Sequence, residues 1–153
     1  MEIKEFLKNC FIFSYLLDDE LDLISEHFKI VNYQKDEIIF EENTQANELY
    51  VIVNGIVKIT KRINEKKEKI LTQLSTNECF GEMALLEGNV RSASAIAVTP
   101  VTLLVLPYVN FCSIITLAPL IAYKIMVRLA YILSKRLREA NERFIDFLSF
   151  QIK

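Results

Sequence analysis

Metal-ligating side chains are scarce in this 153-residue chain, which has one histidine, His27, and three cysteines, Cys10, Cys79 and Cys112. The cysteines are far apart, odd in number and set among apolar neighbours, as in Cys10-Phe11-Ile12 and Phe111-Cys112. They read as buried reduced thiols, not as a disulfide framework, and they are too few for a metal, haem or iron–sulfur site. His27 stands beside Phe28 in an amphipathic stretch and reads as a helix-face residue. Reduced thiols without a signal peptide point to the cytoplasm. Glycine and proline number three each and never cluster with serine, so neither a linker nor a second domain is visible. The net charge is only −2, which gives nucleic acid or an anionic membrane nothing to be drawn to. No nucleophile–base pair, catalytic carboxylate pair or metal cluster is evident either, so the chain does not read as an enzyme.

What is present is the balance of a folded domain, 52% apolar and 25% charged residues, at a length that supports one core. Charge disappears entirely from Ser92 to Tyr123, a span long enough to cross a membrane. Pro100, Pro107 and Pro119 interrupt it, and Val, Ile, Thr and Ser dominate its first half. Buried strands followed by a short helix are therefore expected, with no membrane partner.

Glu2 to Asn9 reads as a short amphipathic helix. A second helix is expected to start at Asp18 or Asp19, with the carboxylate accepting from the free amides of the first turn and Leu21, Ile24 and Phe28 on the buried face. From Lys29 onward short β-type runs follow: Ile30 to Tyr33, Glu37 to Phe40, Glu48 to Val53, Ile56 to Ile63 and Lys69 to Leu74. Asn54-Gly55 is a two-residue hairpin signal, and Asn64 to Glu68 forms a charged loop tip. Many short strands imply a sandwich or a rolled barrel. After Pro107 the pattern is helical: Tyr108 to Leu117, then a long run after Pro119. There Met126, Ala130, Leu133, Leu137, Ala140, Phe144 and Phe147 form a heptad seam. Ile125, Leu129 and Ile132 form an adjacent stripe suited to the barrel. Two stripes favour a homodimer through this helix. Arg128, Lys135, Arg136, Arg138 and Arg143 alternate with Glu139 and Glu142, as on a solvated face.

Chemistry concentrates in Cys79-Phe-Gly-Glu-Met-Ala-Leu-Leu-Glu-Gly-Asn-Val-Arg-Ser-Ala-Ser-Ala95. Gly81 permits a sharp turn and a close backbone approach to a ligand. Glu82 to Leu86 can form one or two helical turns whose free amides suit a phosphate, with Gly88-Asn89 ending them in left-handed geometry. Arg91 opens an otherwise uncharged run, where a guanidinium is costly unless an anion meets it. Ser92 adds a hydroxyl, and the Glu82 carboxylate suits a ribose 2′-OH. These residues describe either a ribose-phosphate pocket or a Glu82–Arg91 salt bridge that pins a loop.

The order Phe80-Gly81-Glu82-Met83-Ala84-Leu85 followed by Arg91-Ser92-Ala93-Ser94 resembles the phosphate-binding cassette of the cyclic nucleotide-binding domain family. That family includes the sensor domains of catabolite activator proteins and of protein kinase A regulatory subunits. Glu48 to Ile59 is similar to the family's central hairpin, and the resemblance covers about residues 10 to 150. It implies an α+β, mainly β, fold: an eight-stranded antiparallel jelly-roll barrel with helices at the N-terminus and a long C-terminal helix. On that basis residues 1–153 form one domain, with the barrel at about 29–107 and the helix at about 119–150. The resemblance further implies a regulatory sensor for cAMP, or for cGMP, whose C-terminal helix the ligand repositions. Its site would comprise Phe80, Gly81, Glu82, Met83, Ala84, Arg91, Ser92 and Ala93, with Asn141 toward the purine and Ala140 unable to bond it by side chain. Asp36, Asn43 and Asn77 stand at turns where relatives carry glycine, and they are the residue types that best tolerate left-handed backbone. The family's transcription factors continue into a helix-turn-helix domain. Here the chain ends at Lys153, so no nucleic acid partner is expected. The alternative is a barrel of this fold that has lost its ligand and serves in dimerisation or protein docking.

Overall fold

A computed structural model of the protein describes residues 2–152. Helix α1 (Ile3–Asn9), a 3₁₀ turn (Phe11–Phe13) and helix α2 (Asp18–Ser25) precede eight strands. These are β1 (Lys29–Tyr33), β2 (Ile38–Phe40), β3 (Glu48–Asn54), β4 (Val57–Asn64), β5 (Lys67–Leu74), β6 (Cys79–Phe80), β7 (Ser94–Ala97) and β8 (Val101–Pro107). Helix α3 (Met83–Leu86) interrupts them after β6, and α4 (Tyr108–Leu117) and α5 (Pro119–Gln151) follow them. The strands make two four-stranded antiparallel sheets, ordered β1-β8-β3-β6 and β2-β7-β4-β5. This is the jelly-roll expected from the motif. No helix among the described residues is long and apolar enough to cross a membrane.

The uninterrupted apolar runs of β3 and β8 follow from cover on both faces of their sheet. Alternate residues go to alternate sides. Leu49, Val51, Leu104 and Leu106 join a core with Phe13, Ile24, Phe111, Ile125 and Leu129 of the helical layer. Tyr50, Ile52, Leu103 and Val105 join a second core between the sheets, with Val57, Phe80 and Ala95. Charge would be unsatisfied in either direction, which accounts for its absence from β8.

Local geometry at three turns agrees with the sequence reading, because Asp36, Asn43 and Asn77 have φ of 68°, 67° and 72°. Two expectations need correction. Asn54-Gly55 does not close a hairpin: β3 pairs with β8 and β6, while β4 pairs with β5 and β7 in the other sheet. The chain changes sheets there, and the true hairpin is β4–β5 around Glu65 and Lys66. Nor does an aspartate cap α2. Leu17 is its N-cap, and the Glu20 carboxylate reaches back to accept from the Leu17 N–H at 2.8 Å. Asp18 instead pairs with Lys4 and Lys8 of α1, at 2.8 and 3.0 Å.

Helix α5 divides in two along its length. Ile121, Ala122, Ile125 and Leu129 are buried, with Met126, Ile132 and Leu133 packed at the core's edge. Two basic residues tie this half to the N-terminal segment. Lys124 donates to both Glu20 carboxylate oxygens at 2.7 Å, and Arg128 lies over the Phe11 and Tyr15 rings at 3.5 and 4.2 Å. Beyond Arg136 every described residue is exposed.

Candidate functional site

The cassette forms because β6 is only two residues long and must give way to a turn. Gly81 takes φ +72°, and α3 closes it, with the Ala84 and Leu85 amides donating to the Gly81 and Glu82 carbonyls at 3.1 and 3.0 Å. A Cβ on Gly81 would stand 2.7 Å from Arg91 Nη1 and 3.0 Å from the Glu48 carbonyl. Glycine is thus required both by backbone angle and by the nearness of the arginine. Gly88 alone, at φ +61°, supplies the left-handed stop after α3, and Asn89 does not share it.

Arg91 is 5% exposed, and among the described residues no carboxylate lies within salt-bridge distance of it. Its Nη1 and Nη2 donate to the carbonyls of Gly81 and Glu48 at 3.2 and 3.0 Å, while Nε is buried without a partner. The guanidinium lies 4.0 Å from the Phe40 ring centroid and 5.5 Å from that of Tyr50, which itself stacks on Phe80. Desolvation holds its pKa below the ordinary arginine value, partly offset by Tyr50 and Glu48. A buried cation with neutral partners and an unused donor is a strong attractor for an anion. The N–H groups of Gly81, Glu82, Ser92 and Ala93 have no intramolecular acceptor among the described residues and add to that attraction.

These groups converge on a cavity of about 190 Å³. Phe80, Gly81, Glu82, Met83, Arg91, Ser92 and Ala93 all line it. Ser92 is exposed and its hydroxyl donates to the Met83 sulfur at 3.7 Å; Phe80 is buried and forms part of the wall. Two residues expected at the site do not line this cavity. Ala84 is fully buried and serves the turn, and Asn141 is exposed on α5, about 7 Å along the helix beyond Arg136.

Arg136 is the residue that sequence reasoning missed. It is no member of a solvated face: Nη1 donates to Glu82 Oε1 at 2.7 Å and Nη2 to the Cys79 carbonyl at 2.6 Å. Glu82 is 7% exposed, so the pair is largely shielded. Burial lowers the Arg136 pKa, but the Glu82 charge and its hydrogen bond outweigh that and leave it raised. Glu82 therefore binds α5, and the Glu82–Arg91 bridge that the sequence left open does not form. A signal was available, because 125, 129, 132 and 136 are spaced four, three and four. An arginine at the end of a barrel-facing stripe needs an acid. On the far side of Arg136 a groove of about 420 Å³ runs between β5 and α5, sharing Leu71, Thr72 and Leu74 with the smaller cavity.

All three cysteines are free thiols. Burial pushes Cys10 and Cys79 up to about 12, which keeps both protonated. Among the described residues no group of three or more His, Cys, Asp or Glu side chains is placed to hold a metal.

Comparison with known proteins bears on the same segment. Residues 30–116 match the family model of the cyclic nucleotide-binding domain. A cyclic AMP receptor protein from Thermus thermophilus is 34% identical over 145 residues, covering 95% of this chain and 65% of that protein. The chain thus spans just under two thirds of that relative's length. The crystal structure of the Thermus thermophilus catabolite activator protein has a TM-score of 0.77 at 35% identity, over 92% of this chain and 63% of the other. A cyclic nucleotide-binding domain from Methylobacillus flagellatus shares the fold with a TM-score of 0.84 at 21% identity, over 94% and 85% of the two chains.

Proposed function

This chain belongs to the cyclic nucleotide-binding domain family, and from that premise we propose that it is a non-catalytic regulatory sensor for cAMP whose ligand repositions α5. The observation that carries the reading is Arg91, a buried guanidinium with an unpaired Nε beside a cavity lined by unused amides. The cyclic phosphate sits against Arg91, the Ser92 hydroxyl and the amides of Gly81 and Glu82. The ribose 2′-OH donates to Glu82. That carboxylate already holds Arg136, so the ribose and α5 meet at one group. Coupling requires an element whose placement the ligand biases, and the Glu82–Arg136 pair provides it. The purine extends from the cavity toward Leu71 and Thr72, where it leaves the phosphate and ribose contacts undisturbed. With Ala140 lacking a polar side chain and Asn141 away from the cavity, discrimination between adenine and guanine has little side-chain support from α5. The sensor is one domain, with the barrel at 29–107 followed by α4 and α5.

The test is isothermal titration of the purified protein with cAMP and cGMP at matched ionic strength. Saturable binding of cAMP is expected, and the ratio of affinities reads out base preference. A well-folded protein giving no heat and no thermal shift with either nucleotide would replace this reading with that of a dimerisation or docking module.

The distal half of α5 supports self-association. Leu137, Phe144 and Phe147 are 63%, 60% and 57% exposed, and they continue the heptad seam beyond the core. Large apolar side chains in a helical row favour a second copy of the same helix. Sedimentation equilibrium is expected to give twice the 17.7 kDa chain mass, and the double substitution Leu137→Glu, Phe144→Glu to give the single mass. A wild-type chain sedimenting as a monomer at tens of micromolar would remove the dimer.

A further inference from the structure

The phosphate-binding segment is gripped from outside the cavity by two residues that do not line it, Lys61 and Glu42. Lys61 Nζ donates to the Ser92 carbonyl at 2.6 Å and to Glu42 Oε1 at 2.8 Å. Glu42 is itself fixed on three sides. Its Oε2 accepts from the Arg62 N–H at 3.0 Å, its own N–H donates to the Ser94 hydroxyl at 2.9 Å, and its side chain is only 17% exposed. Lys61 and the Arg62 N–H together hold the Glu42 carboxyl below its ordinary pKa. The ammonium is thus clamped by an anion that cannot easily turn away.

Strand register explains how Lys61 arrives there. Thr60 of β4 pairs with Ser94 of β7, so the next β4 residue stands beside the end of the cassette. The same register sets Lys61 directly opposite Lys69 of β5. Like charges facing each other across a strand pair destabilise it, so pairing within the hairpin does not account for a lysine at this position. The contact with Ser92 does.

A trans peptide is planar, so its C=O and N–H point in opposite directions. Lys61 draws the Ser92 carbonyl outward, away from the cavity wall. The N–H on the other side of that peptide belongs to Ala93, which lines the cavity and has no intramolecular acceptor among the described residues. We infer that Lys61, clamped by Glu42, is a positioning residue that aims the Ala93 N–H at the ligand's phosphate. A cation on the carbonyl also polarises the peptide and strengthens its N–H as a donor. This inference rests on the nucleotide reading of the site.

The experiment compares wild type with Lys61→Met, Lys61→Arg and Glu42→Gln. Each is titrated with cAMP at low salt and at about 0.5 M salt, where bare attraction between separated charges is screened. Lys61→Met is expected to weaken binding about tenfold at both salt concentrations, the scale of one charge-assisted hydrogen bond. Lys61→Arg should recover most of the loss, and Glu42→Gln should fall between. In the ligand-free protein the Ala93 amide resonance should move in Lys61→Met and stay near its wild-type position in Lys61→Arg. Ligand-free thermal midpoints should be nearly unchanged, because a half-exposed ion pair adds little stability. Lys61→Met binding as tightly as wild type overturns the inference, as does a loss that vanishes at high salt or that arginine does not recover. If Lys61→Met fails to fold, Glu42→Gln binding at full strength overturns it instead. A wild type that binds neither nucleotide overturns the site reading together with this one, which separates the two failures.

Discussion

Arg91→Ala is expected to weaken cAMP binding by about 3–5 kcal/mol, a factor of a hundred or more, because it leaves a buried phosphate without its cation. The direction of the stability change is the sharper part of this expectation. In the ligand-free protein Arg91 is a buried charge held by two carbonyls, with Nε unpaired. Arg91→Met keeps an apolar stem against Phe40 and removes the desolvated charge, so the ligand-free protein should be as stable as wild type or more so. Only the wild type should then gain stability from added nucleotide. Titration calorimetry and thermal melts with and without cAMP read both effects. Wild-type affinity in Arg91→Ala would remove the cassette from the functional argument. A large loss of ligand-free stability in Arg91→Met would make the arginine a structural residue.

Gly81→Ala should damage stability and binding together. The residue sits at φ +72°, where a side chain costs about 1–2 kcal/mol by backbone strain alone. The new methyl group also meets Arg91 Nη1 at 2.7 Å, the Glu48 carbonyl at 3.0 Å and the Tyr50 ring at 3.1 Å. Relieving those contacts displaces Arg91, the proposed phosphate partner. The total expected is about 2–4 kcal/mol in urea unfolding, within the range for strain plus overpacking, with cAMP affinity down at least tenfold. Gly88→Ala is the control. Its φ is +61° but nothing lies within 4 Å of the added carbon, so it should lose only the backbone strain and bind normally. Equal effects at the two glycines would mean that crowding around Arg91 is of no consequence.

Much of the architecture could be read from local chemistry, and the parts that could not have a common cause. Asp36, Asn43 and Asn77 announce left-handed turns because their side chains tolerate that geometry, whatever the rest of the chain does. Phe80 to Ala93 announces a candidate site because its residue types are costly or unusual where they stand. Asn54-Gly55 misleads for the opposite reason: turn chemistry specifies a bend but not the sheet the chain enters afterwards. The same limit hid Arg136, whose acid lies 54 residues away, and Lys61, whose carbonyl lies 31 away. Charged residues on an exposed helix or hairpin look alike in sequence until a distant partner is placed beside them. For Asn141, counting along a helix assigns a position, whereas the lining of the cavity reaches α5 only at Arg136.

Arg136 also sets a fulcrum. Upstream of it α5 is held by Ile125, Leu129, Lys124 and Arg128, and downstream the helix runs free to Gln151. Those final fifteen residues extend about 22 Å at 1.5 Å per residue, so a tilt of about 10° at Arg136 carries the tip roughly 4 Å. On the proposed ribose contact, a ligand at Glu82 would bear on this fulcrum, and the distal arm would carry the change outward.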